Sequence, residues 1–377
     1  MSDAFTRLIA ASLRGEDFTL VDVGCSGGVE AAWRAFGERF RGIGFDASVS
    51  ECRRLAELET NPKVRYVPGF VDVPADHPFA ARASKDDWLA GKSLFDRSSA
   101  GWSVELREKR LAAAAESEKF KHNLWQNTEL ADPDKPVSAP RVLAEQGYDA
   151  VDFLKIDVDG PDFRILNSFD RLFDTTAILG VRLEVSLVGG ADGASNTFHN
   201  TDRFMREHGY ALFRLDNRTY SMRALPARFV YDMPAQTVNG RIFQAEAHYM
   251  RDLAASEQRD YVASLSDDKL LKALAILSVW DLPDSAAEIL LAYRERLAKV
   301  LDVDAALDLL AAQSQPGSPA PLSYRDYMAL FAADSPQFFT PPMAPRPTLG
   351  QRISAAWHAL SDRTYIASFN KGLKKRA

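Results

Sequence analysis

The chain has 377 residues, ordinary apolar (46%) and charged (26%) fractions and a formal net charge of −6. That length holds one full α/β domain with an appended segment, or two domains, and the acidic balance argues against a general nucleic-acid surface. Two cysteines, Cys25 and Cys52, are too few for a disulfide framework, and no apolar run is long enough to span a bilayer. With no leader-like start, the expectation is a cytoplasmic protein with reduced thiols.

Residues 1–17 have amphipathic helical spacing through Phe5, Leu8, Ile9 and Leu13. The stretch FTLVDVGCSGG (18–28) follows, a short apolar run closed by glycines, as where a buried parallel strand hands over to a helix. Glycines there let the backbone approach a ligand, although a purely structural strand-turn-helix has the same look. Residues 30–40 carry helical spacing with Trp33 and Phe36 on one side. A second short strand, GIGFDAS (42–48), ends in Asp46, an acid spaced to hold a ribose hydroxyl pair.

The turn favours S-adenosylmethionine over a dinucleotide. A G-x-G-x-x-G loop would need glycine at Ser26 and Val29, and Val29 occupies the place where close helix packing beside a pyrophosphate requires glycine. Asp22, two residues before Gly24, suits a cofactor with an amino-acid end, ordering the loop or meeting its ammonium group. A nicotinamide-dependent dehydrogenase stays as the weaker alternative.

A second helix is expected from Ser48 or Ser50 to Leu58, ended by Asn61-Pro62, and a third strand over residues 63–73 with a bulge at Pro68-Gly69. The order β-α-β-α-β implies a parallel sheet with right-handed crossovers. Regularity then lapses over 74–148, far beyond an ordinary crossover, so this stretch reads as an insertion. Its Trp102 and Trp125 suit a lid or substrate wall, or equally a packed surface decoration.

DFLKIDVDGPDFRIL (152–166) is the second informative stretch: a buried strand, then a helix opened by Gly160-Pro161. The two-residue side-chain period puts Lys155, Asp157 and Asp159 on one face at the carboxyl end of a central strand, where open α/β sheets bind ligands. Asp159 could instead cap the helix, and Asp157 could simply pair with Lys155. A fifth strand over 177–187 carries Arg182 and Glu184, and a helix over 197–208 has His199 in its first turn. Residues 210–215 and 229–233 read as closing antiparallel strands. Residues 267–310 read as helical hairpins, followed by proline-rich linkers and a basic tail at Lys371, Lys374, Lys375 and Arg376.

The combination of VDVGCSGG, GFDAS and, above all, LKIDVDG (154–160) resembles the FkbM-type S-adenosylmethionine-dependent methyltransferases, over roughly residues 18–250 and including GRIFQAEAHY (240–249). Asp159 stands where that family usually has Glu, Pro161-Asp162 replaces Ala-Glu, and Asp46 replaces a Glu-Pro pair. The resemblance implies a doubly wound, mostly parallel seven-stranded sheet of the class I methyltransferase, Rossmann-like kind, here with a helical extension over 251–377. It also implies O-methylation of a hydroxyl on a sugar, glycan or sugar-decorated metabolite.

The residue chemistry is compatible. In-line attack on a sulfonium methyl needs alignment and a base for the hydroxyl proton. Asp157 is the first candidate base, tuned by Lys155, and His199 the second. Gly24, Ser26 and Gly27 should line the methionine part, Asp46 the ribose, and Gly69 and Phe70 the adenine, with Asp72 near its amino group. Asp157, Asp159 and Glu184 could alternatively hold a divalent cation such as magnesium. The competing class is a non-catalytic scaffold whose residues beyond 250 bind a partner, such as a glycosyltransferase or a second copy of the chain.

Overall fold

The computed structural model describes residues 2–82, 129–158, 160–220 and 240–338. The described chain divides into two compact units, Met1–Pro321 and Leu322–Ala377. The first is built on a seven-stranded sheet of order β3-β2-β1-β4-β5-β7-β6. Its strands are β1 (Phe18–Val23), β2 (Phe40–Asp46), β3 (Val64–Pro68), β4 (Phe153–Ile156), β5 (Gly180–Ser186), β6 (Ala211–Tyr220) and β7 (Arg241–Met250). Strands β1 to β5 pair in parallel, while β7 runs antiparallel between β5 and β6. This is the mostly parallel, doubly wound seven-stranded sheet expected above.

Strand order puts β1 and β4 side by side at the centre, so all six residues of β1 and all four of β4 are buried. Alternation along the strands then sorts side chains onto two faces. Val21, Val23, Leu154, Ile156, Val181, Leu183, Val185, Ala245, Ala247 and Tyr249 belong to one apolar core. Leu20, Asp22, Phe153, Lys155, Arg182, Glu184, Glu246 and His248 alternate with them and face the other way.

Helices α1 (Ser2–Ser12), α2 (Val49–Leu58), α3 (Ala139–Glu145), α4 (Asp162–Ser168), α5 (Asp170–Thr175) and α6 (Phe198–Glu207) accompany the sheet. Ser48 caps α2, its Oγ accepting from the Glu51 amide at 3.0 Å. Helix α3 has its proline in the first turn and lies inside the stretch read as an irregular insertion; Tyr148 just after it donates to the Gly42 carbonyl at 2.8 Å. Trp102 and Trp125, the expected lid tryptophans, lie outside the described residues.

Several boundaries differ from expectation. Residues 31–39 form a 3₁₀ run rather than an α-helix, broken at Gly37 with φ of 57°. The third strand stops at Pro68 instead of Val73: the Gly69 amide makes the last bond to β2, at the Asp46 carbonyl, and Val71 then bridges to Val137. The strand closing against β6 is β7, Arg241–Met250, while 229–233 lie outside the described residues.

The expected domain boundary after residue 250 falls inside the first unit. Helices α7 (Arg259–Ser264), α8 (Asp267–Val279), α9 (Pro283–Ala292), α10 (Arg294–Leu297) and α11 (Val303–Gln313) belong to it. Every residue of α8 from Asp268 to Ser278 is buried. Its amino end is tied to the sheet through Asp152, fully buried, which takes the Lys269 ammonium at 2.7 Å, Lys272 at 3.2 Å and the Thr19 amide at 2.7 Å. The Asp268 carboxylate accepts from the backbone amides of Arg14, Gly15 and Glu16. In the second unit, the described residues carry α12 (Tyr324–Ala333), with Phe338 against Tyr327 and Phe331. Among the described residues no helix is long and apolar enough to cross a membrane.

Candidate active site

The carboxyl ends of β1, β2 and β4 meet at the glycine turn. The Gly24 and Cys25 amides both donate to the Phe45 carbonyl, at 2.8 and 3.1 Å, which folds the turn back over β2. Gly24 has φ of +86°, and a Cβ there would lie 1.8 Å from the Asp157 carbonyl oxygen. The glycine therefore lets the ends of β1 and β4 touch. Gly27 and Gly28 also have positive φ (both 83°), so three glycines keep side chains off this corner. Gly28 was not among the residues singled out from the sequence.

Ser26 and Gly27 are exposed on the turn, and the Gly27 amide donates to the Glu51 carboxylate at 3.0 Å. Asp46 stands next to the turn with one carboxylate oxygen accepting from the Ser48 amide at 2.8 Å. Burial raises its carboxyl above the ordinary range, against amide bonds from Ser48 and Ser26. Cys25 is buried under the turn, and its thiol is raised well above the usual value by its hydrogen bond with Cys52 and by burial.

Lys155 is central to the site. Its ammonium, on a side chain 10% exposed, lies 3.0 Å from Asp22, 3.2 Å from the Gly24 carbonyl and 3.7 Å from Asp157. Burial opposes its charge, but Asp22 and Asp157 outweigh that and raise its pKa. Asp22 is fully buried and committed to Lys155, so it braces the turn from beneath instead of pointing at an ammonium group above it. Asp157, 37% exposed, stands at the lip. Asp159 lies outside the described residues.

Asp162 holds the loop after β4. It accepts from the amides of Val158 at 3.1 Å and Gly160 at 3.0 Å, and Asn196 reaches it at 3.4 Å. Full burial, partly offset by those amides, pushes its carboxyl up to about 7.

The other expected positions separate. Asp72 is gripped at both oxygens by Arg164 of α4, so its carboxylate is occupied where an adenine contact was expected. Gly69 is buried, with no room for a Cβ against Val137, and Phe70 is half-buried, its carbonyl accepting from the Val137 amide at 2.7 Å. His199 is exposed and lies 3.4 Å from the Thr197 hydroxyl. Its helix packs Phe204 and Met205 into the apolar core, on the face away from Lys155. Glu184 is bound by Arg218 at 2.7 Å, so a guanidinium stands where the proposed cation would need that carboxylate. Among the described residues no group of three His, Cys, Asp or Glu side chains is placed to hold a metal ion.

The sheet register also assembles a charged row beside Lys155. Asp22 aligns with Lys155, Lys155 with Arg182, and Arg182 with His248. Arg182 forms a two-point pair with Glu30, just after the glycine turn, and lies 3.7 Å from Glu246. Arg218 of β6 bridges Glu246 at 2.8 Å and Glu184. His248, buried near Arg182, is lowered to about 4 by desolvation and that positive neighbour, and is neutral at pH 7. Alternating charges in β5 (R-L-E), β7 (E-A-H) and β6 (R-L-D-N-R) were the available signal, but the pairing depends on register.

Comparison with known proteins gives a family match over part of the chain. No curated protein matches the chain. Among solved structures, a precorrin-6y C5,15-methyltransferase from Geobacter metallireducens is similar over 65% of this chain and 87% of its own, at 12% identity and a TM-score of 0.28. The SAH-bound magnesium protoporphyrin IX methyltransferase from Synechocystis is similar over 66% and 81%, at 8% identity and a TM-score of 0.28. An S-adenosylmethionine-dependent methyltransferase from Listeria monocytogenes is similar over 66% and 99%, at 9% identity and a TM-score of 0.29. Residues 93–212 match the family model described as the methyltransferase FkbM domain, which takes in β4, the Asp157 loop and β5. The match covers about a third of the chain, and it is to the family that the LKIDVDG strand resembles.

Proposed function

We propose that the protein is an S-adenosylmethionine-dependent O-methyltransferase acting on a hydroxyl of a sugar, glycan or glycosylated metabolite. The observation that carries this reading is the junction of Gly24 with Asp157: a side-chain-free turn touching a strand tip that presents a partly exposed carboxylate. The glycine corner leaves room for the donor's methionine part along Gly24, Ser26 and Gly27, and Asp46 is one strand away for the ribose. Gly69 and Phe70 would border the adenine. When bound, the donor supplies an electrophilic methyl on a sulfonium.

The chain's own work is alignment and proton transfer. Asp22 and Lys155 fix the tip of β4 from below, so Asp157 is held at a defined distance from the turn. Asp157 would accept the acceptor hydroxyl's proton as the new C–O bond forms and the donor's S–CH3 bond breaks to leave a thioether, a contribution worth roughly 10²–10⁴ in rate. Lys155, whose pKa is raised by Asp22 and Asp157, keeps a positive charge beside that carboxylate.

The test is Asp157→Asn in the full chain. Calorimetry with S-adenosylhomocysteine should give an affinity within about threefold of wild type, while transfer of labelled methyl to a glycoside panel falls by roughly 10²–10⁴. Full transfer by the variant would remove Asp157 as the base. Absence of binding by the wild-type chain would remove the cofactor reading.

A further inference from the structure

Resting on the cofactor reading above, we infer that Arg182 receives the carboxylate of the methyl donor's amino-acid end, and that Glu30 holds that place until the donor binds. The guanidinium already grips a carboxylate end-on: Nη1 donates to Glu30 Oε2 at 3.1 Å and Nη2 to Oε1. Planar two-point pairing of this kind is what a free amino-acid carboxylate would reproduce.

Position supports the exchange. Glu30 follows Gly28 by two residues and makes no side-chain cap on the 3₁₀ run it precedes. Its side chain is 40% exposed, whereas Arg182 is 15% exposed. The arginine is thus fixed and the glutamate can swing outward. Glu246, 3.7 Å from Nε, holds the other edge of the guanidinium and aims its two Nη atoms toward the cofactor turn.

The neighbouring cations are committed elsewhere. Lys155 is held by Asp22, Asp157 and the Gly24 carbonyl; Arg218 by Glu184 and Glu246; Arg214 by Asp216 and the Trp280 carbonyl. Among the described residues of this row, Arg182 is the cation whose carboxylate partner, Glu30, comes from the segment just after the glycine turn. A donor carboxylate arriving with Glu30 still in place would add a third carboxylate around Arg182, beside Glu30 and Glu246. Displacing Glu30 keeps the local charge unchanged.

The test compares two ligands by calorimetry on the full chain: S-adenosylhomocysteine, and 5′-methylthioadenosine, which lacks the amino-acid end. Arg182→Gln should weaken S-adenosylhomocysteine by about tenfold or more and 5′-methylthioadenosine by less than about twofold, with Arg182→Lys between wild type and Gln. Glu30→Gln should tighten S-adenosylhomocysteine, since the competing carboxylate is gone. Equal weakening of both ligands by Arg182→Gln, or weakening of neither, overturns the assignment while the cofactor reading stands. So does a Glu30→Gln loss as large as that of Arg182→Gln, which would mark the pair as a structural strut. If Arg182→Gln does not fold, Arg182→Lys and Glu30→Gln decide by the same comparison. Wild-type protein that binds neither ligand overturns the cofactor reading and this assignment together.

Discussion

Gly24 has no space for even one methyl group, since its absent Cβ would overlap the Asp157 carbonyl and its φ of +86° is itself unfavourable for other residues. Gly24→Ala should therefore destabilise the protein by about 3 kcal/mol or more, read from urea unfolding. Gly27, which has open space around its missing Cβ, should lose only the backbone preference, about 1 kcal/mol, on the same substitution. Both glycines look alike in the sequence; the difference lies in what comes close to them. The same holds for the aspartates. Asp22, Asp46 and Asp157 were legible as chemistry because each ends or nearly ends a strand. Yet only neighbours across the sheet decide that Asp22 is buried under a lysine and Asp157 is at the surface.

The loop between β4 and α4 is an element whose stability depends on pH. Asp162 titrates near 7 when folded, against an ordinary value of 3.8, so the folded chain keeps a proton that the unfolded chain has released between those values. Its contribution is present below about pH 4 and is lost as pH rises through about 7. His248 works in the opposite sense: lowered from 6.5 to about 4, it costs stability as pH falls from about 6.5 to about 4. Comparing wild type with Asp162→Asn separates the two. The stability of wild type relative to the variant should decline as pH rises from about 4 to about 7, measured by denaturant unfolding across that range. A difference that does not vary with pH would mean Asp162 is ionised throughout. Asn will lose one of the two amide bonds, which shifts the whole curve without changing this slope.

For the whole molecule, the ion cluster around Asp152 sits at the opposite end of β4 from Asp157 and joins helix α8 to the sheet. Lys272→Met removes one of the two ammonium groups next to a fully buried carboxylate. The expected cost is about 3–5 kcal/mol, checked by thermal and urea unfolding. Ending the chain after residue 250 would remove both lysines and uncover Phe153, which packs against Trp280. That fragment should fail to fold, whereas a chain ended at Pro321 should retain a cooperative transition, both read by circular dichroism. In the sequence, the helical hairpins over 267–310 look like a separate module. Burial along nearly the whole of α8 makes them a layer of the first unit instead.

Local pattern by itself determined the parallel strands, the glycine corner and the acid-bearing strand tips, because hydrophobic period and turn chemistry act over a few neighbouring residues. It also carried the family resemblance, through a strand motif that needs no partner to be read. Tertiary structure decided which charges meet: Arg164 with Asp72, Arg218 with Glu184, and Arg182 with Glu30, residues 152 positions apart in the chain. Pairings of that kind follow strand order and register, and those are fixed only when the sheet has closed around its core.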